Sequence, residues 1–81
     1  MREQYQEFFV TAKTVKLRPN EEFITLQSLL KITSTISTGG MAKMYLQENK
    51  VLVNGEPENR RGRKLYSGDK VELENVTFIV K

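Results

Sequence analysis

The segment Val51-Leu52-Val53-Asn54-Gly55-Glu56 constrains the fold of this chain more than any other. An apolar, β-branched run that ends in Asn-Gly favours a two-residue hairpin turn, in which both central residues take positive φ. Pro57 has no N–H to give to a ladder, so the returning arm belongs at a sheet edge or in irregular chain. Further on, Ser67-Gly68-Asp69 reads as another turn. Val71-Glu72-Leu73 and Val76-Thr77-Phe78-Ile79-Val80, separated by Glu74-Asn75, read as a closing hairpin. The C-terminal half is expected to be a set of short antiparallel strands.

The N-terminal half has a different periodicity. Phe8 to Leu17 mixes β-branched and aromatic residues, with Phe9, Thr11, Lys13, Val15 and Leu17 on one alternation, and predicts an edge strand. Arg18-Pro19-Asn20 marks a turn. Thr25 has a hydroxyl able to cap a helix, and Leu26, Leu29, Leu30 and Thr33 then share one face, with Lys31 pointing away. The Ser/Thr-rich stretch from Ile32 to Thr38 predicts a connector, because these side chains compete for the backbone. A second helix is expected after Ser37 or Thr38, running through Gly39 and Gly40 to about Glu48, with Ala42 and Leu46 on one face. The element order is strand, helix, helix and then several strands, an α+β chain.

Length and composition remove several functions. Eighty-one residues allow one domain and one modest core, with no second lobe to close over a substrate. The chain has no Cys and no His, which excludes disulfides, thiolate and imidazole metal sites and the usual nucleophile-base pairs. Neither a cofactor nor a small-molecule substrate is expected. No long apolar stretch follows the first residues, so neither a signal peptide nor a membrane span is expected, and the cytoplasm is the expected compartment.

The net charge of +3 is mild, but its distribution is uneven. Residues 1–22 hold four basic and four acidic side chains, whereas residues 31–64 hold seven basic and three acidic. Two constellations stand out in that basic stretch. Ser37-Thr38-Gly39-Gly40 opens the second helix, where free N–H groups and partial positive charge attract anions, with Lys43 one turn further on. Taken alone, this tetrapeptide fits an ordinary capped loop better than an anion site. The run Arg60-Arg61-Gly62-Arg63-Lys64, with Lys50 at the base of the hairpin, is the stronger candidate. Guanidinium donors suit phosphate oxygens, and four cations in five residues repel one another without an anion. Glu56 and Glu58 beside them read as local charge partners and not as a general acid and base. Replacing one of its arginines should hardly change stability, whereas in a structural ion-pair network the same change would lower the melting temperature. Tyr45 and Tyr66 are the aromatics near the basic segments; Tyr66 could stack on a base, but packing is its expected role, and backbone recognition is expected more than base stacking.

Taken together, the stretch from Phe23 to Leu73 resembles the S-four RNA-binding domain, also called the alpha-L motif. Thr25-Leu26-Gln27-Ser28-Leu29-Leu30-Lys31 corresponds to its first helix, Gly39-Gly40-Met41-Ala42-Lys43 opens its second, Val51 to Gly55 is its hairpin, and Gly68-Asp69-Lys70-Val71 matches its Gly-Asp-x-Val turn. The Gly-Gly-x-Ala-Lys opening and the run from Asn59 to Tyr66 are most similar to free-standing bacterial members. The resemblance implies two short helices packed on a small, mainly antiparallel sheet within residues 23–81, with RNA bound across the second helix and the hairpin; residues 1–22 lie outside the motif as an extension whose alternation suggests an added N-terminal strand. By position it implies contacts from Lys31, Thr38, Gly39, Gly40, Lys43, Lys50, Asn54, Arg60, Arg61, Arg63 and Lys64. Many ribosomal members carry paired arginines where this chain has Gly39-Gly40, which shifts weight toward the helix dipole and the arginine run.

The resulting expectation is a non-catalytic protein that binds structured RNA, ribosomal RNA or ribosome assembly intermediates, mainly through the phosphate backbone. An adaptor that uses the basic patch on an acidic protein partner is the rival reading. DNA stays open as well, since phosphate contacts alone do not separate the two polymers.

Overall fold

The structure, a computed structural model, describes residues 11–74 and 76–81. In chain order its elements are β1 (Thr11–Val15), β2 (Phe23–Thr25), α1 (Leu26–Ile32), a 3-10 turn (Gly39–Met41), α2 (Ala42–Glu48), β3 (Leu52–Val53), β4 (Glu56–Pro57), β5 (Lys64–Tyr66), β6 (Lys70–Glu72) and β7 (Val76–Val80). This is the expected α+β arrangement. One sheet has the order β1-β7-β6-β3-β4, and β2 pairs separately with β5. Every pairing is antiparallel except that of β1 with β7. The part of the expected first strand before Thr11, including Phe8 and Phe9, lies outside the described residues.

Asn54 and Gly55 have φ of 52° and 87°, as the Asn-Gly signal requires, and fold β4 back on β3. Strand β4 ends the sheet, where the missing N–H of Pro57 leaves no central ladder broken. Val53, Val71 and Phe78 lie opposite one another across β3, β6 and β7 and are buried. Leu26, Leu29 and Leu30 of α1 are fully buried in the same cluster, with Ala42, Leu46 and Leu65. Each such leucine contributes roughly 1.5–3 kcal/mol relative to leaving it in water.

The ends of α1 follow from its polar residues. Thr25 Oγ1 accepts a hydrogen bond from the Ser28 N–H at 3.1 Å, capping the first turn. At the other end Ser34 takes a φ of 64°, and the N–H groups of Thr35 and Ile36 both donate to the Leu30 carbonyl. Thr33 Oγ1 donates to the Leu29 carbonyl at 2.8 Å, while buried Ile36 ties the connector to the core.

Two local expectations are corrected. The α-helical part of the second helix begins at Ala42; Gly39–Met41 form a separate 3-10 turn, and Thr38 makes no side-chain cap. Two glycines oppose α-helix by about 1 kcal/mol each, and the tighter turn is a common solution at helix starts. The second correction is β2. Phe23-Ile24-Thr25 pairs with Lys64-Leu65-Tyr66, so the end of the basic run is a strand anchored by fully buried Leu65.

Candidate nucleic-acid interface

The basic run is built around an internal anion. The Glu58 N–H donates to the Val51 carbonyl at 2.8 Å, which sets its side chain against the core, where the residue is only 9% exposed. Its Oε2 accepts from the Arg60 N–H at 3.0 Å and from Arg60 Nε at 2.9 Å. Its Oε1 accepts from Arg60 Nη2 at 3.1 Å and from Arg63 Nη1 at 2.7 Å. These charge-assisted bonds offset the cost of burying the carboxylate. The Arg60 side chain, more than burial opposes it, holds the Glu58 carboxyl well below the usual carboxylate range, at about 2. Glu58 is thus the charge partner expected from the sequence. Exposed Glu56 makes no ion pair among the described residues.

Backbone bonds then fasten the arginine loop to the start of α1. The Leu26 N–H donates to the Arg63 carbonyl and the Gln27 N–H to the Arg61 carbonyl, both at 2.9 Å. These are first-turn amides with no intrahelical acceptor, so the loop completes the helix while the helix shapes the loop. Gln27 also reaches the second constellation, since a Cβ added at Gly39 would stand 2.7 Å from Gln27 Nε2. The Gly39–Met41 turn and the Arg60–Lys64 run, some twenty positions apart in sequence, therefore meet across Gln27. Sequence reasoning missed this residue. Its position in the first turn of α1 was legible, but its long-range partners were not.

The other candidate residues are distributed unevenly. Thr38, Gly40 and Lys43 are exposed at or next to the Gly39–Met41 turn. Exposed Lys31 sits in the last turn of α1, four positions after Gln27 and so on the same helix face. Lys50 lies between two grooves, one shared with Glu48, Glu72 and Glu74 and one shared with Glu58 and Asn59, at the foot of the arginine loop. Asn54 is committed to the fold: its Oδ1 accepts from the Lys70 N–H at 2.9 Å, and its Nδ2 donates to Asp69 Oδ1 at 3.1 Å. Asp69 Oδ2 in turn accepts from the Tyr66 N–H at 2.8 Å. Arg60, Gly62, Arg63, Lys64 and Tyr66 line a common groove. Among the described residues no group of three or more His, Cys, Asp or Glu is placed to hold a metal ion, and no helix is long and apolar enough to cross a membrane.

A basic loop fixed to a helix start on a small α+β domain presents clustered cations suited to phosphate. The S4 domain family matches residues 11–81, and the chain belongs to that family. One relative, the "Probable ribosome maturation protein RlbA" of Bacillus subtilis (strain 168), is 62% identical over 53 residues, which is 65% of this chain and 75% of that protein.

Proposed function

We propose that the protein is a non-catalytic, cytoplasmic RNA-binding protein that recognises structured RNA, with ribosomal RNA or a ribosome assembly intermediate as its ligand. Recognition is mainly of the phosphate backbone. The meeting of the glycine turn and the arginine loop across Gln27 carries this reading, because it concentrates backbone amides and cations from two separate segments. Thr38, Gly39, Gly40, Lys43, Arg60, Arg61, Arg63 and Lys64 form the main contact surface, with Lys31, Lys50 and Asn54 flanking it. The similarity to a probable ribosome maturation protein of Bacillus subtilis supports the ribosomal reading.

The test is a titration of a folded ribosomal RNA fragment, and of a DNA duplex of matched length, at several salt concentrations. Wild type and Arg61→Ala are compared. Arg61 is exposed, and its side chain makes no ion pair among the described residues. Losing one phosphate contact lowers the logarithmic salt slope by about 0.9 or somewhat less, while the melting temperature stays unchanged. Equal slopes and affinities for the two proteins would place the RNA surface elsewhere. An adaptor for an acidic protein would show weak nucleic-acid binding with no preference for folded RNA.

A further inference from the structure

Lys64 and Tyr66 alternate with buried Leu65 and so share the outer face of the β2-β5 pair. Phe23 stands opposite Tyr66, with ring centroids 5.7 Å apart and planes inclined at 51°, and Lys64 Nζ lies 4.9 Å from the Phe23 centroid. This tilted contact props the Tyr66 ring without covering it, and Tyr66 remains 47% exposed. Its backbone is fixed as well, through the N–H bond to Asp69. The result is an oriented aromatic surface that the core does not use.

That surface borders an open groove of about 440 Å³ that it shares with Arg60, Gly62, Arg63 and Lys64. Glu58 occupies Nε and Nη2 of Arg60 and Nη1 of Arg63. Among the described residues no acceptor takes Arg60 Nη1 or Arg63 Nε and Nη2, and the Arg60 and Arg63 side chains are 70% and 32% exposed. A Cβ added at Gly62 would meet nothing within 4 Å, so the main chain there is open to close approach.

We propose that this groove is a subsite for one unpaired nucleotide, with its base stacked on Tyr66 and its phosphate held by Arg63, Lys64 and the open backbone at Gly62. The proposal rests on the RNA-binding reading and sharpens it. A continuous duplex keeps its bases inside the helix, where an aromatic ring beside the backbone cannot stack on them; an unpaired base can be splayed out to meet it. The ligand class is therefore a duplex interrupted by, or flanked by, an unpaired nucleotide. Stacking on an aromatic side chain tolerates any base, so the subsite selects for structure and not for sequence.

Fluorescence anisotropy with three RNA hairpins tests this. One stem is fully paired, one carries a single unpaired adenosine, and one carries an abasic ribose at that position. Wild type should bind the adenosine hairpin roughly 5- to 150-fold tighter than the other two, the range expected for one base-aromatic stack. Tyr66→Phe should keep the preference, and Tyr66→Leu should remove it while leaving affinity for the paired stem unchanged. Equal affinity of wild type for the adenosine and abasic hairpins overturns the subsite, and that comparison holds even if Tyr66→Leu fails to fold. If wild type binds all three hairpins equally, the subsite is wrong and RNA binding stands. If it binds none at low salt, the RNA-binding reading falls and the subsite with it.

Discussion

Glu58 decides what the arginine run can do. In the sequence the run is four equivalent cations, yet two of them are held by a buried carboxylate, while Arg61 and Lys64 make no such pair among the described residues. The expectation that any arginine here can be replaced without cost is therefore corrected for Arg60 and Arg63. Removing either leaves Glu58 under-partnered next to the core. Because the Glu58 carboxyl titrates in the folded protein at about 2, below its unfolded value of roughly 4.3, its contribution has a definite sign. It is fully present above the unfolded value and is lost as pH falls toward the folded one. Allowing for solvent around the exposed Arg60 side chain, the contribution is about 1–2 kcal/mol. Thermal melts should thus show wild type losing stability between about pH 5 and pH 2, and Glu58→Gln should flatten that part of the profile. A Glu58→Gln profile that fell as steeply as wild type over this window would assign the acid sensitivity to other carboxylates.

At the scale of elements, the glycine turn separates two substitutions that look alike in sequence. A side chain at Gly39 would press on Gln27, whereas one at Gly40 would have only Thr38 Oγ1 at 3.9 Å nearby. Gly40→Glu is accordingly the cleaner probe. It should leave the circular dichroism spectrum and melting temperature near wild type while placing negative charge where a phosphate is expected. RNA affinity should fall by about tenfold or more, equivalent to roughly 1.4 kcal/mol. A folded Gly40→Glu protein that binds like wild type would remove this turn from the interface. The same contrast shows what the sequence could reveal. The β3-β4 hairpin was readable because its cause is local, two residues that tolerate positive φ between apolar strands. The pairing of β2 with β5 was not, since Phe23-Ile24-Thr25 is short and its partner begins at Lys64 with no connecting turn. The basic character of the interface was equally plain. Its organisation was hidden, because nothing in Glu58-Asn59-Arg60 announces that the glutamate is buried, and nothing near Gln27 announces that two loops converge there.

For the molecule as a whole, these attachments make the interface part of the folded state. The arginine loop is tied to α1 by two backbone bonds, to the core through Glu58, and to β2 through β5. RNA that binds only the folded protein must then stabilise all of it. At a free RNA concentration of about 100 times Kd the gain is about 2.7 kcal/mol, which slows amides that exchange only through global unfolding by roughly 100-fold. Hydrogen exchange at constant temperature measures this without melting the RNA. The Val80 N–H, bonded to the Asp69 carbonyl, reports on the sheet, and the Leu26 and Gln27 N–H groups report on the loop attachment. With a preformed interface, Val80 should gain the full factor wherever its exchange is global, and Leu26 and Gln27 should already be protected without RNA. If Leu26 and Gln27 exchange freely until RNA is added while Val80 does not change, the loop orders only on binding. The attachments seen in the structure would then be a consequence of the complex and not its scaffold.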